Sequence, residues 1–381
     1  MPRHAAIDVD VAAIAANTRA IVAAAPGAVV CAVVKADGYG HGSVPAARAA
    51  LAGGATWLAV ALVEEGSVLR GARLDAPILV LSEPPPDVMS EAHALGLTPT
   101  LYTDAGVDAA VAAVRAAATV GATDPAAPAV PWTVHLKVDT GMHRVGAHPD
   151  DMLRLAVRVQ ESPELRLGGT FTHLAVADEP DRRETAMQLD LFDQVLATLV
   201  EAGIDPGIRH AANSAGVLAH PRARFDLVRV GIALYGLSPS PELAGVIELR
   251  PAMRLSAEVT MVKSLRKGDG ISYGLRYVVD GPAQIAIVPL GYADGVDRRL
   301  GLVGGAVLIG GVRRPIRGVV TMDQLVVEVT HGPEVRVGDE VVLLGPQGTD
   351  EIPAQEWADR LDTIGYEVVC GFTGRVPRRH G

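Results

Sequence analysis

Several residues able to do chemistry stand at the ends of apolar runs. Lys35 closes "CAVVK" and is followed by "ADGYGHG", with an acid, three glycines, Tyr39 and His41. Burial favours the neutral, nucleophilic form of an amine, so a lysine leaving a buried strand is primed to react. Lys137 ends "VPWTVHLK" and runs into "DTGMHRVG", which carries Arg144. His173, the pair Asn213–Ser214, and Arg229 with Gly231 and Ile232 close three later runs. Ser214 opens a helical segment, where backbone N–H groups favour an anion, and Gly231 permits close approach of a ligand to the backbone. Each residue also has a plain reading. Lys35 and Arg144 fit solvated charges, Tyr39 a rim residue, His173 a satisfied core histidine, and Asn213–Ser214 a helix cap. Lys137 fits less easily, because a buried ammonium needs a partner or loses its charge. "GYGHG" lacks the GxGxxG spacing, and Lys35 precedes the glycines where a P-loop lysine follows them. His41, His135, His173 and His210 have no ligand spacing, so no metal is expected.

The elements that must position these residues repeat. Eight short apolar runs begin near residues 29, 57, 77, 97, 130, 165, 207 and 225, separated by helical patterns such as Thr103–Thr119 and Arg182–Ala202. Asp104 and Asp181 read as helix caps and Gly203 as a stop signal. Apolar runs joined by helices imply parallel strands buried on both faces. An open doubly wound sheet fits the same alternation. The count of eight and the lack of GxGxxG in the first unit favour a (β/α)8 TIM-type barrel. On a barrel the polar residues above share the C-terminal mouth, and the loops after strands seven and eight are the usual phosphate site. A lysine on one side and a phosphate cradle opposite suggest pyridoxal phosphate. After "SPSPELAG" the pattern becomes β-type, with "PAQEWADRLD" the one helical stretch. The expected domains are a barrel over 1–240 and a mainly β domain over 241–381.

The chain has 381 residues, 49% hydrophobic and 20% charged, with net charge −10. That balance fits a globular protein and argues against a nucleic-acid partner, which needs a basic face. Cys31 and Cys370 give no disulfide framework, and no segment reads as a signal peptide or membrane span. A cytoplasmic location is expected.

The blocks "AVVKADGYGHG", "HLKVDTGMHRVG", "FTHLAVAD", "NSAG", "VRVGIALYG", "ISYG", "GYADG", "TMDQ" and "RVPR" resemble those of the alanine racemases, in that family's order. The likeness runs from about residue 7 to 378. It implies a pyridoxal-phosphate enzyme interconverting L- and D-alanine, which supplies D-alanine for cell-wall synthesis. A broad-specificity or serine racemase of the same fold is the alternative. By this resemblance Lys35 carries the cofactor and serves as one base, and Tyr273 in "ISYG" is the opposite base. Tyr39, Asn213, Ser214, Gly231 and Ile232 hold the phosphate side. Arg229 faces the pyridine nitrogen, with His173 beside it. Arg144 binds the substrate carboxylate, oriented by a carbamylated Lys137, and Met322 offers it a backbone N–H. Asp323 and Tyr292 play supporting parts. The implied active unit is a homodimer with shared sites, each β domain reaching the partner's barrel. The chain departs from the family pattern at Val319, where many members have arginine, at Thr321, where many have cysteine or serine, and at Gly374, where many have tyrosine.

Overall fold

A computed structural model describes residues 4–121 and 130–381. The eight expected runs all form strands. They are β2 (Val29–Val33), β3 (Trp57–Val60), β4 (Ile78–Val80), β5 (Thr98–Leu101), β6 (Trp132–Lys137), β7 (Leu165–Phe171), β8 (Ile208–His210) and β9 (Leu227–Val230). Each pairs in parallel with its neighbour from β2 through to β8, and β9 pairs in parallel with β2. Backbone bonds from Asp226 N–H to Arg209 C=O (3.0 Å) and from Arg229 N–H to Ala212 C=O (2.9 Å) bridge the seam between β8 and β9. The sheet is therefore a nearly closed eight-stranded barrel. Ala32, Leu58, Ile78, Leu79, Val134, Leu136 and Val228 are fully buried in it.

The chain clusters into two compact units, and they do not follow the 1–240 and 241–381 division. The barrel unit comprises Ile14–Gly38 and Ser43–Arg250. The other unit gathers the N-terminal strand β1 (Ala5–Val9), Tyr39–Gly42 and Pro251–Gly381. β1 lies between Met253–Glu258, antiparallel, and Arg378–His380, parallel, within a seven-stranded sheet. A three-stranded sheet of Met261–Leu265, Ala283–Val288 and Leu325–Glu328 and a two-stranded one complete this mainly β unit. Ile271, Val279, Ala283 and Ile285 form one of its buried clusters.

Three local expectations are corrected. Asp104 does not cap its helix (Asp104–Gly121). Thr103 takes that role, its hydroxyl accepting the Gly106 N–H at 2.9 Å, and Asp104 instead binds Arg154 and Arg158. Asp181 lies outside the helix Glu184–Glu201, whose N-cap is Arg183 with no side-chain bond. A second helix, Gly365–Cys370, follows the expected one at Ala354–Leu361.

Candidate active site

The segment after β2 is a left-handed turn. Ala36, Asp37, Gly38, Tyr39 and Gly40 all have φ between 50° and 79°. A non-glycine residue held in left-handed conformation costs roughly 1–2 kcal/mol. The turn is tied down by Glu65, which accepts the Ala36 N–H at 2.7 Å, and by Asp37, which accepts the Ser43 N–H at 2.8 Å. This strained turn fixes the backbone at Lys35, which opens it two residues beyond the end of β2.

Register brings the next residues together. Lys137 on β6 pairs with Phe171 on β7, and Phe171 pairs with His210 on β8. The Phe171 ring stacks on His210 at 4.5 Å, with the Lys137 ammonium 5.5 Å and the Arg229 guanidinium 5.0 Å from its centre. Lys137 is 5% exposed. Burial, then the charges of Arg229 and Arg144, push its pKa from 10.5 down to about 7, against the opposing pull of Asp139; Lys35 adds to the lowering. Arg229, Arg144 and Lys35 thus concentrate positive charge around Lys137 in the barrel unit.

Arg229 is held by four acceptors: the Thr172 carbonyl at 2.8 Å, the Ala211 carbonyl at 2.9 Å, His210 Nδ1 at 2.7 Å and His173 Nδ1 at 3.2 Å. Burial lowers its pKa only to about 10, so it stays protonated at neutral pH. A guanidinium only donates, which assigns the tautomers around it. Nδ1 of both histidines accepts, and their hydrogens sit on Nε2. His210 Nε2–H then donates to His135 Nδ1 at 3.0 Å. Burial, then the Arg229 charge, hold His210 and His173 well below 6.5 and His135 at about 3, so all three are neutral.

Across the barrel mouth, the Ser214 hydroxyl accepts the N–H of Gly231 at 3.1 Å and of Ala233 at 3.4 Å. Asn213 caps the short helix Ser214–Ala219 through the Gly216 N–H at 2.9 Å, and Ile232 opens a single helical turn. These residues place a hydroxyl and backbone N–H groups side by side, a donor set suited to phosphate oxygens. With the cations above, they fit an anionic cofactor such as pyridoxal phosphate. Arg144 is exposed on a loop that Asp139 organises by accepting the N–H groups of Gly141, Met142 and His143, each at 3.0 Å.

The remaining expected residues belong to the other unit. Tyr39 is buried there, its ring 6.3 Å from that of Tyr366, and burial, with Tyr366 and Cys370 nearby, raises its phenol pKa. Tyr273 stands 72% exposed on a turn where Ser272, Gly274 and Leu275 all have positive φ. Tyr292 donates its N–H to the Thr321 carbonyl at 2.9 Å, and the next N–H, of Ala293, bonds the Met322 carbonyl at 3.1 Å. Only glycine fits at Gly291, where a Cβ would sit 2.3 Å from both carbonyl oxygens. Among the described residues the Met322 N–H donates to no group. Asp323 pairs with Arg375 at 2.6 Å. Val319 is buried, and its carbonyl accepts the Ser272 hydroxyl. Gly374 is exposed, and an added Cβ would meet nothing within 4 Å.

Sequence reasoning missed His135, His210, Phe171 and Asp139. The available signal was alternation: His135 and Lys137, or Phe171 and His173, are two apart, and residues two apart on a strand share a face.

An eight-stranded parallel barrel with a lysine just beyond its first strand, together with a mainly β unit, is an architecture shared by a class of two-domain enzymes. The family model described as "Alanine racemase, N-terminal domain" matches residues 9–239, and "Alanine racemase, C-terminal domain" matches 252–380. Alanine racemases of Symbiobacterium thermophilum and Thermobifida fusca are both 47% identical to the chain, over 98% of it and 96% of the former, and over 99% of it and 98% of the latter. The solved alanine racemase from a D-cycloserine-producing Streptomyces lavendulae superposes with a TM-score of 0.91 at 39% identity, covering 100% of this chain and 98% of that one. That of Bacillus anthracis, solved with bound L-Ala-P, gives 0.90 at 38%, covering 100% and 96%. The chain belongs to the alanine racemase family.

Proposed function

We propose that the chain interconverts L- and D-alanine through two bases on opposite faces of the substrate, Lys35 and Tyr273, with pyridoxal phosphate as cofactor. The observation that carries this reading is the cation and donor set of the barrel unit: Lys35, Arg144 and Arg229, with the Ser214–Gly231 cradle. Its charge suits a phosphate and a substrate carboxylate together. When bound, pyridoxal phosphate supplies an electron sink that makes an amino-acid α-C–H acidic enough to lose its proton.

The chain's own residues do the rest. Lys35 holds the cofactor and, as a neutral amine, takes the α-proton of D-alanine. Tyr273 takes that of L-alanine. Each returns a proton to the face opposite the other, so the configuration inverts. Ordinary lysine and tyrosine side chains have pKa values of about 10, so both bases depend on surroundings that favour the deprotonated form. Arg229, protonated and able only to donate, would serve the cofactor's ring nitrogen. His173, fixed by Arg229 in its Nε2–H tautomer, offers a donor beside it. Ser214, Gly231 and Ile232, with Asn213 capping the Ser214 helix, would hold the phosphate. Arg144 and the Met322 N–H bind the carboxylate.

Lys137 is carbamylated in this reading. Its amine adds to carbon dioxide, loses a proton and becomes an anion that orients Arg144. An anion is better suited than an ammonium to a place beside Arg229 and Arg144.

The active unit is a homodimer in which Tyr273, Tyr292, Met322 and Asp323 of one protomer serve the partner's barrel. Supporting this, Tyr273, Leu275 and Met322 are 72%, 61% and 52% exposed, which is unusual for large apolar side chains beside functional motifs. We place the enzyme in the cytoplasm, supplying D-alanine for cell-wall synthesis; its two cysteines, Cys31 and Cys370, form no disulfide. A chiral assay with alanine, serine, lysine and glutamate tests the assignment. Purified protein should be yellow, and Lys35→Ala colourless.

A further inference from the structure

The mainly β unit holds a buried arginine that pairs with no carboxylate among the described residues. Arg314, on the strand Val312–Pro315, is 3% exposed. Its guanidinium donates one bond, to the Pro333 carbonyl at 2.9 Å, and its Nε has no hydrogen-bond partner. Gly332 packs directly on the guanidinium, where a Cβ would come within 3.1 Å of it. Burial lowers the Arg314 pKa, and no carboxylate opposes that shift. A buried charge of this kind is costly until an anion reaches it.

The side chain lines a pocket of about 240 Å³, bounded by Ile309, Val335, Glu334, Asp339 and Glu340. Each of the three acids uses one carboxylate oxygen in a contact of its own. Glu334 pairs with Arg336 at 2.8 Å, Asp339 accepts the Arg336 N–H at 2.8 Å, and Glu340 pairs with Arg254 at 2.8 Å. A simple anion entering here would meet Arg314 but also face three carboxylates. A ligand with a carboxylate at one end and an ammonium at the other suits both. We propose that this pocket is a second ligand site, taking a small α-amino-acid zwitterion with its carboxylate on Arg314 and its ammonium towards Glu334 and Asp339. None of these residues belongs to the reacting centre described above, so the site is separate from it.

N,N-dimethylglycine is a suitable probe, because a tertiary ammonium cannot condense with a carbonyl cofactor. Thermal unfolding of the holoenzyme is followed as the probe is titrated, with acetate, inorganic phosphate and dimethylamine as comparison arms. The expected result is a saturable rise in Tm with N,N-dimethylglycine, at a midpoint at least fivefold lower than with acetate or phosphate. Arg314→Met should abolish the rise while keeping racemase activity and a Tm, without probe, at or above that of the wild type. Glu334→Gln, at the exposed rim, should weaken N,N-dimethylglycine severalfold and leave acetate unchanged. No saturable rise in the wild type, or an equal rise in Arg314→Met, would overturn the site. Acetate or phosphate binding as tightly as the zwitterion would overturn the ligand class.

Discussion

The state of Lys137 can be worked from its surroundings. With a pKa lowered from 10.5 to about 7, about three quarters of the unmodified side chain is neutral at pH 7.5, against about one in a thousand for an ordinary lysine. Only the neutral amine attacks carbon dioxide, so a far larger share of this side chain than of a surface lysine is competent for carbamylation. The same shift sets a stability cost. Between pH 10.5 and 7 the unfolded chain binds the proton and the folded chain does not. The unmodified protein therefore loses stability as pH falls through that window, and below pH 7 the penalty is constant. Its upper bound is about 5 kcal/mol, from about 1.4 kcal/mol per pH unit. Carbamylation replaces the unfavourable cation with an anion and removes that penalty. Carbon-13 NMR of the protein in labelled bicarbonate at pH 7.5 should show one carbamate resonance, lost in Lys137→Met. Bicarbonate should raise the Tm of the wild type but not of the variant. A wild type with no carbamate resonance, or a resonance that survives in Lys137→Met, would refute the reasoning.

Further outcomes follow from the same geometry. Tyr273→Phe should slow solvent deuterium exchange from L-alanine by about 10²–10⁴-fold, the usual worth of a general base, and spare exchange from D-alanine; equal losses from both would contradict the two-base reading. Arg229→Glu replaces a pure donor with a group able to share a proton with the cofactor ring, so off-path transamination of alanine should increase; an unchanged ratio of transamination to racemisation would contradict the role given to Arg229. Gly291→Ala must displace the carbonyls of Thr321 and Met322, 2.3 Å from the new Cβ, and should lower stability by about 1–3 kcal/mol with a raised KM; an unaltered Tm and KM would contradict the close approach.

The barrel was legible because its strands are buried on both faces and read as apolar runs between helices. The strand-end residues followed from that reading alone, since a barrel collects such ends at one mouth. β1 was not legible: its five residues pair with strands some 250 and 370 positions away, and pairing at that distance leaves no local pattern. The helix Gly365–Cys370 is too short for a periodic signal and opens on a glycine. Asp104 looked like a cap by residue type, but Thr103 supplied the oxygen and two arginines of a later helix claimed the acid. The His135–His210–Arg229 chain depends on strand register, and single-sequence reading leaves register open. The family blocks supplied roles that the bare residues left undecided, above all for Tyr273, which alone reads as an ordinary tyrosine.

The central claim is tested most directly by incubating the purified enzyme with pure L-alanine and following both enantiomers by chiral chromatography. The expected outcome is conversion to an equal mixture of L- and D-alanine, the same end point from D-alanine, much slower turnover of serine, lysine and glutamate, and no conversion by Lys35→Ala. A wild type that leaves alanine unchanged with pyridoxal phosphate supplied, or that turns over serine or lysine faster than alanine, would contradict it.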